Sequence, residues 1–470
     1  GLGVLALRDL FAVAARRDTT AVAIAATVVG LAVPAILAAQ NWDDHDRSGR
    51  TMARDIGWNY LQSVPENGIV INYGDNDTFP LWFNQEVDGV RTDVRIMNSS
   101  YLGGEWYIDE MKTRANESAP VPFSLPRSKY AFVNDYLPIR ERVDRVVEIK
   151  ELMDFIASED EKTKLALTDG TMLDYIPARR IAIPVDKDNA IASGIVKEQD
   201  RDLMVDTVYI NISPKKRSID KSEMMLLDLL ANFDWKRPIS FTQVYILQDF
   251  GLLDYLQFDG YSYRLVPILT PYRSSWEIGR IDTDTVYPLL MEKFRYGNLA
   301  DPKVNADYFI QYNLGASKAR EAFARLAKQL IREGKNDKAL AALDRGLEVF
   351  PSPKIRYTDA NTYPFIESYY ALKEYEKGDA LLKAYADTII QYIEYYLLFD
   401  GVQAKIVGDL ITERMDSLSE LYYLAAYAQR DDLVRFFNDY YRTFGYTDEE
   451  LIIPGTDASE IMDSPTVDMD

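Results

Sequence analysis

Two short stretches hold most of the side chains able to do chemistry. The first, NWDDHDRSGR, sets Asp43, Asp44, His45 and Asp46 just ahead of Arg47 and Arg50. Carboxylates around one imidazole are a donor set for a divalent cation, and closely spaced arginines suit a phosphate. The second, GDNDT, carries Asp75, Asn76, Asp77 and Thr78. Asp75 and Asp77 suit a metal or the hydroxyls of a sugar, while Asn76 and Thr78 suit a ligand or simply a turn and a helix cap. Trp82, a few residues on, completes the candidate substrate-binding set of Asp44, His45, Asp46, Arg47, Arg50, Asp75, Asn76, Asp77, Thr78 and Trp82. A plainer account of the first stretch is a solvated helix boundary, with Asp46 or Ser48 capping the helix that carries Ile56 and Tyr60. Should the two stretches meet in space, Asp44, His45, Asp75 and Asp77 would be the metal ligands, and a divalent cation the cofactor.

The elements that must position GDNDT are legible. Residues 67–74 (NGIVINYG) form a short apolar strand after a turn signal, and PLWFNQEV a helix with Pro80 in its first turn. Residues 93–100 (DVRIMNSS) form a second strand, and GGEWYIDEMK opens a second helix. That βαβ rhythm predicts a Rossmann-like α/β domain with a parallel or mixed sheet. Ligands of such sheets bind beyond the carboxyl ends of the strands, where Asp75–Thr78 and Asn98, Ser99 and Ser100 fall.

The element that positions NWDDHDRSGR is a membrane span. Residues 19–42 carry no charge, follow Arg8, Arg16 and Arg17, and precede an acidic cluster. That length suffices for a transmembrane helix, and the charge asymmetry puts the N-terminal side in the cytoplasm and all that follows Trp42 outside. Its Ala, Gly and Thr content and Pro34 suit a helix in a bundle. The chain opens inside an apolar phrase, GLGVLAL, which predicts that it is the C-terminal part of a longer membrane protein.

NWDDHDRSGR, GDNDTFPLWFNQEVDGVRTDVRIMN and WYIDEMK together resemble the C-terminal half of a bacterial membrane-protein family. That family is typical of Bacteroidetes and similar to protein O-mannosyltransferases, with an animal relative that also ends in TPR repeats. The resemblance implies a multi-span GT-C-type glycosyltransferase moving a sugar from a polyprenyl-phosphate donor to a Ser or Thr hydroxyl on the outer face of the membrane. It further implies a bacterial inner-membrane protein with the bulk of this chain in the periplasm. The family's catalytic aspartate lies in an early loop that this chain lacks, so no catalytic residue is assigned. The implied partners are the bilayer, the N-terminal membrane half of the same protein, and a polypeptide acceptor or envelope protein.

Residues 120–272 predict further helix and strand passages. LMVDTVYINIS and RPISFTQ are read as strands extending the same sheet, KSEMMLLDLLANF as a helix capped by Ser222, and 255–268 as a hairpin around Asp259-Gly260. Arg179, Arg180, Lys215, Lys216 and Arg217 suit phosphate or anionic lipid, or merely a solvated face. Two helical hairpins, broken at EGKND and EYEKGD, and a looser third copy, SELYYLAAYAQRDDLVRFFNDYYRTF, predict an all-α TPR-like domain, with Ala322, Leu326, Ala339, Leu343 and Leu347 in its first core. Its Tyr-rich surface either binds extended polypeptide or packs on the α/β domain.

The expected organisation is thus a preceding membrane segment and cytoplasmic loop (1–18), a transmembrane helix (19–42), an exoplasmic α/β domain (43–300), TPR-like repeats (301–446) and an acidic, unstructured tail (447–470). A net charge of −21 excludes nucleic acid as a partner, and zero cysteines exclude disulfides and thiolate metal sites. No P-loop, GxGxxG, HExxH or GxSxG occurs. Asp206-Thr207-Val208, Asp284-Thr285-Val286, Asp387-Thr388-Ile389 and Asp416-Ser417-Leu418 have an Asp-Ser/Thr-aliphatic form, so exposed copies would be O-glycosylation candidates. Three functions remain open: the exoplasmic part of a glycosyltransferase, a non-enzymatic envelope scaffold, and a metal-dependent hydrolase built on the Asp/His clusters.

Overall fold

The computed structural model describes residues 2–132, 134–168, 170–272, 274, 277–352 and 354–454, without the side chains of Asp43, Asp44 and Ser317. The chain divides into two compact units, one of Gly1–Thr51 with Asp301–Asn305 and one of Met52–Ala300 with Ala306–Asp470.

In the first unit, α1 (Leu2–Ala15) and α2 (Thr20–His45) form a helical hairpin. A Cβ on Gly30 would lie 2.5 Å from Val4 Cγ2, so a small residue is what lets the two helices approach. Thr20–Trp42 of α2 has a mean hydropathy of 2.4 and is only 6% buried, so it is long and apolar enough to cross a membrane.

The second unit opens with α3 (Met52–Ser63), β1 (Ile69–Asn72), α4 (Asp75–Glu86), β2 (Arg95–Asn98) and α5 (Glu105–Met111). Short pieces follow: β3 (Tyr136–Pro138), β4 (Val147–Glu148), α6 (Ile149–Ala157), β5 (Leu165–Ala166), β6 (Met172–Leu173), β7 (Arg180–Pro184), α7 (Lys187–Ala192), β8 (Thr207–Asn211) and β9 (Ser218–Asp220). Then come α8 (Lys221–Asn232), β10 (Ile239–Phe241), α9 (Tyr245–Gln248), β11 (Leu256–Phe258), β12 (Tyr263–Leu265) and α10 (Thr283–Pro288).

The principal sheet has the order β11-β12-β10-β1-β2. β1 is parallel to both β2 and β10, and the β11–β12 hairpin closes the sheet antiparallel. It is a mixed sheet with three parallel strands, smaller than a Rossmann-like doubly wound domain. β1 is buried on both faces. Ile69 and Ile71 join the large core with Met97, Met224 and Leu227, while Val70 faces Leu61, Val64 and Leu81 of the smaller one. Burial on both sides is why this strand reads as an unbroken apolar run.

Three expectations need correction. β10 joins the sheet as predicted, but β8 does not; it pairs with β7 in a separate three-stranded sheet with β4. The alternation of Val208 and Ile210 foretells a half-buried strand, not which sheet it joins. α8 is capped by Asp220 rather than Ser222, in a reciprocal box with Glu223. α4 starts at Asp75, five residues before Pro80. Pro80 therefore lies inside the helix and cannot donate to the Asn76 carbonyl. α3 presses against this point through Gly57, where a Cβ would lie 2.2 Å from the Pro80 carbonyl oxygen.

Three helical hairpins complete the unit: α11 (Ala316–Arg332) with α12 (Asn336–Val349), α13 (Asp359–Ala371) with α14 (Tyr375–Tyr396), and α15 (Gly401–Tyr427) with α16 (Asp431–Arg442). Ala322, Leu326, Ala339 and Leu343 are buried and Leu347 half-buried, consistent with helical repeats. Arg320 stitches the first pair to the second by donating to Asn361 Oδ1 and the Phe350 and Ile355 carbonyls. The expected tail begins in order, since Ile452 donates to Tyr422 Oη and accepts from Asn438; 455–470 lie outside the described residues. None of the four Asp-Ser/Thr-aliphatic hydroxyl residues is exposed, and the Ser417 hydroxyl donates to Asp359.

Candidate functional site: a tyrosine-lined cleft at the end of β1 and β10

β1 leads through α4 to β2 on one side, while its neighbour on the other side, β10, arrives from far along the chain. Chain connections leave in opposite directions between β1 and β10, which opens a crevice at their carboxyl ends. Asp77 lies there. Gly74, with φ of 74°, turns the chain out of β1 in a conformation that disfavours any side chain, and the GDND loop becomes the first turn of α4. From β10, the Thr242 hydroxyl (2.6 Å) and Gln243 Nε2 (3.3 Å) both donate to Asp77 Oδ2.

The other predicted residues of this loop do different work. Thr78 is fully buried, accepting from Asn72 Nδ2 (2.5 Å) and Asn98 Nδ2 (2.9 Å) and donating to the Gly74 carbonyl. Asn98 in turn accepts from the amide and hydroxyl of Ser100, and Ser99 donates to the Asn72 carbonyl. These groups hold the loop; they do not face a ligand. Asp75 is exposed and accepts from Tyr101 (3.1 Å). Trp82 packs on Phe79 and Tyr101. Asn76 is exposed and lines the cleft with Asp77.

The cleft has a volume of 250 Å³. Tyr60, Tyr261 and Tyr263 form one side, and Lys318, Glu321 and Arg325 of α11 stand on the other. That volume is below the roughly 300–1,000 Å³ of drug-sized sites and fits one small polar unit. Burial pushes the Asp77 carboxyl above its usual value, while hydrogen bonds from Thr242 and Gln243 and the charge of Lys318 pull it down. Burial likewise raises Glu321, against Lys318 and Arg325. Two carboxyls displaced toward neutrality by burial in one cleft can exchange protons or grip hydroxyls. Glu321 and Arg325 also line a 790 Å³ groove that runs on past Tyr272, Arg280 and Lys328. Arg325 fastens this wall to the sheet, donating to Tyr263 Oη (3.1 Å) and to the Ile278 and Gly279 carbonyls.

Thr242, Gln243 and the α11 trio escape a reading of the sequence by motif. The signals were the polar end of RPISFTQ, at the carboxyl end of a strand, and the spacing of Lys318, Glu321 and Arg325 along one helical face.

The NWDDHDRSGR residues belong to the first unit, apart from the Asp77 cleft of the second. His45 Nδ1 lies 2.9 Å from the Asn41 carbonyl, and Asp46 Oδ1 accepts from the Ser48 amide, turning the chain after α2 rather than capping α3. The Arg50 amide donates to the Arg47 carbonyl. Among the described residues, no group of three or more His, Cys, Asp or Glu side chains is arranged to hold a metal ion. Asp75 and Asp77, two residues apart in the first turn of α4, have different partners, Tyr101 and the Thr242–Gln243 pair. Of the basic points, Arg179 binds Glu141 and the Ser213 and Lys216 carbonyls, and Lys216 pairs with Glu223 and Asp249.

A family model described as TMEM260-associated domain 2 matches residues 53–285, from α3 to α10. The match takes in the whole principal sheet, Asp77, Thr242 and Gln243, and stops short of α11. No curated protein and no solved structure matches the chain.

Proposed function

We propose that this chain is the exoplasmic, substrate-binding part of a membrane glycosyltransferase resembling protein O-mannosyltransferases, and that the cleft around Asp77 holds a sugar unit. The observation that carries this reading is the buried Asp77 carboxyl, held by Thr242 and Gln243 among tyrosines at the crossover of the sheet. Tyrosine faces stack on the C–H faces of a sugar ring, and carboxylates accept from its hydroxyls. The similarity over residues 53–285 and the apolar α2 support the same reading. The donor is a polyprenyl-phosphate-linked sugar and the acceptor a Ser or Thr hydroxyl of a polypeptide lying in the groove beyond Glu321.

The test is glycoproteomics of cells lacking the gene, complemented with wild type, Asp77→Asn or Glu321→Gln. A defined Ser/Thr-linked sugar disappears in the deletion, returns with wild type, and returns weakly or not at all with either variant at normal abundance. An unchanged glycoproteome in the deletion refutes the reading and leaves the helical repeats as an envelope scaffold.

A further inference from the structure

A second hollow, of 300 Å³, lies along the free edge of β2, on the other side of β1 from the Asp77 cleft. It is lined by Trp82 and Gln85 of α4, Arg95 and Ile96 of β2, and Tyr107 and Met111 of α5. Arg95 is the unusual member. Its side chain is 97% removed from solvent by the fold, at 3% exposure, yet it makes one hydrogen bond, from Nη2 to the Glu110 carbonyl (3.0 Å). Nε and Nη1 are buried without a partner.

Other arginines of this unit show what a satisfied guanidinium looks like here. Arg91 spends its donors on Asp93 and three backbone carbonyls. Arg237 binds three carbonyls and the Ser118 hydroxyl. Arg95 makes no ion pair of that kind: burial lowers its proton affinity, the Glu110 carboxylate only partly restores it, Arg95 in turn depresses Arg237, and the nearby Asp93 is already held by Arg91. A buried guanidinium with two nitrogens lacking hydrogen-bond partners is among the costlier arrangements a fold can keep. Placed on the wall of a cavity, it is a fork waiting for a planar or tetrahedral oxyanion.

We propose that Arg95 binds the oxyanion of a small ligand, a carboxylate or a phosphate monoester, whose body rests against Trp82, Tyr107 and Met111. The exposed carboxylates that also line the hollow, Glu86 and Glu110, face the outer part of that body and favour one rich in hydroxyl or amine donors. The site does not depend on the glycosyltransferase reading and shares no residue with the Asp77 cleft.

The test is calorimetric titration of the detergent-solubilised full chain with inorganic phosphate and, separately, with sodium acetate, against sodium chloride at matched ionic strength. One of the two anions binds saturably, which tells phosphate from carboxylate. Binding weakens at least tenfold in Arg95→Met and also in Ala115→Phe, which fills the hollow from an exposed position and leaves Arg95 intact. Equal heats from all three salts, or heats in both variants matching wild type (an adventitious ion only), overturn the assignment. If Arg95→Met does not fold, Ala115→Phe decides alone.

Discussion

Thr78→Val is a near-isosteric change that tests whether the loop presenting Asp77 is held by the polar cluster beneath it. The Thr78 hydroxyl is the acceptor for two buried amides, Asn72 Nδ2 and Asn98 Nδ2, and it donates to the Gly74 carbonyl. Valine keeps the shape and removes all three bonds. The Gly74 carbonyl retains the Thr78 amide, at 3.3 Å, so its loss is small. The two amides are left buried against a methyl group, and an unsatisfied buried donor costs about 1–3 kcal/mol. Because both shared one oxygen, the expected total is about 2–4 kcal/mol rather than the full sum. Amide hydrogen exchange by mass spectrometry reads this locally: exchange in β1, β2 and the start of α4 accelerates roughly 30- to 700-fold, at tenfold per about 1.4 kcal/mol. Amides of α13 and α14 serve as an unaffected internal reference. Thr78→Ser, which keeps the hydroxyl, stays within about tenfold of wild type by losing only a buried methyl. Wild-type protection of β1 and β2 in Thr78→Val would refute the argument that this hydroxyl organises the loop.

Two further outcomes follow from the same region. Asp77→Asn changes the pH dependence of stability with a definite sign. Burial raises the folded-state pKa above the usual 3.8, so the folded chain binds the proton more tightly than the unfolded one. Wild type is therefore best matched to the variant in acid and loses ground as pH rises from 3.8 through the raised value; melting temperatures across that range show the variant ahead at neutral pH. A variant that is less stable at neutral pH would mean that Thr242 and Gln243 outweigh the burial cost. Gly57→Ala puts a Cβ 2.2 Å from the Pro80 carbonyl and 2.6 Å from Asn84 Nδ2, both held in place, and lowers stability by about 1–3 kcal/mol as α3 and α4 separate. Gly103→Ala, where nothing lies within 4 Å, leaves the melting temperature unchanged.

What the sequence discloses follows the distance over which each feature is decided. The strand 69–72, the turn at Gly74 and the position of Asp77 beyond its end rest on neighbours in sequence, and they are legible. Pro80 misleads for a local reason: proline is common in the first turn of a helix and costly inside one. The close approach at Gly57 that accompanies it comes from another helix. The sheet to which β8 belongs, and the α11 wall of the cleft, depend on contacts between segments far apart in the chain. Periodicity within Val208–Ile212 or Lys318–Arg325 gives the face of each element and says nothing of its neighbour. The same separation explains the acidic loop after α2. Its residue types advertise a metal site, while the described contacts of His45 and Asp46 are with the local backbone.

The way α11 meets the sheet bears on what the repeats do. In a free-standing array the first helix presents a polar outer face as a cap. Here that face carries Arg325, whose guanidinium reaches across to Tyr263 and to the Ile278 and Gly279 carbonyls and lies 4.1 Å from the centre of the Phe258 ring. β11 and β12 supply those aromatics, and β12 pairs directly with β10, the strand that leads into Thr242 and Gln243. One side of the cleft is therefore built on the sheet and the other on the first repeat, with Arg325 common to both. Arg320, one turn and a residue earlier on the same helix, ties that repeat to the next through Asn361. The second hairpin is thus joined by hydrogen-bonded side chains to the helix that carries Glu321. The first repeat is in this sense part of the cleft wall.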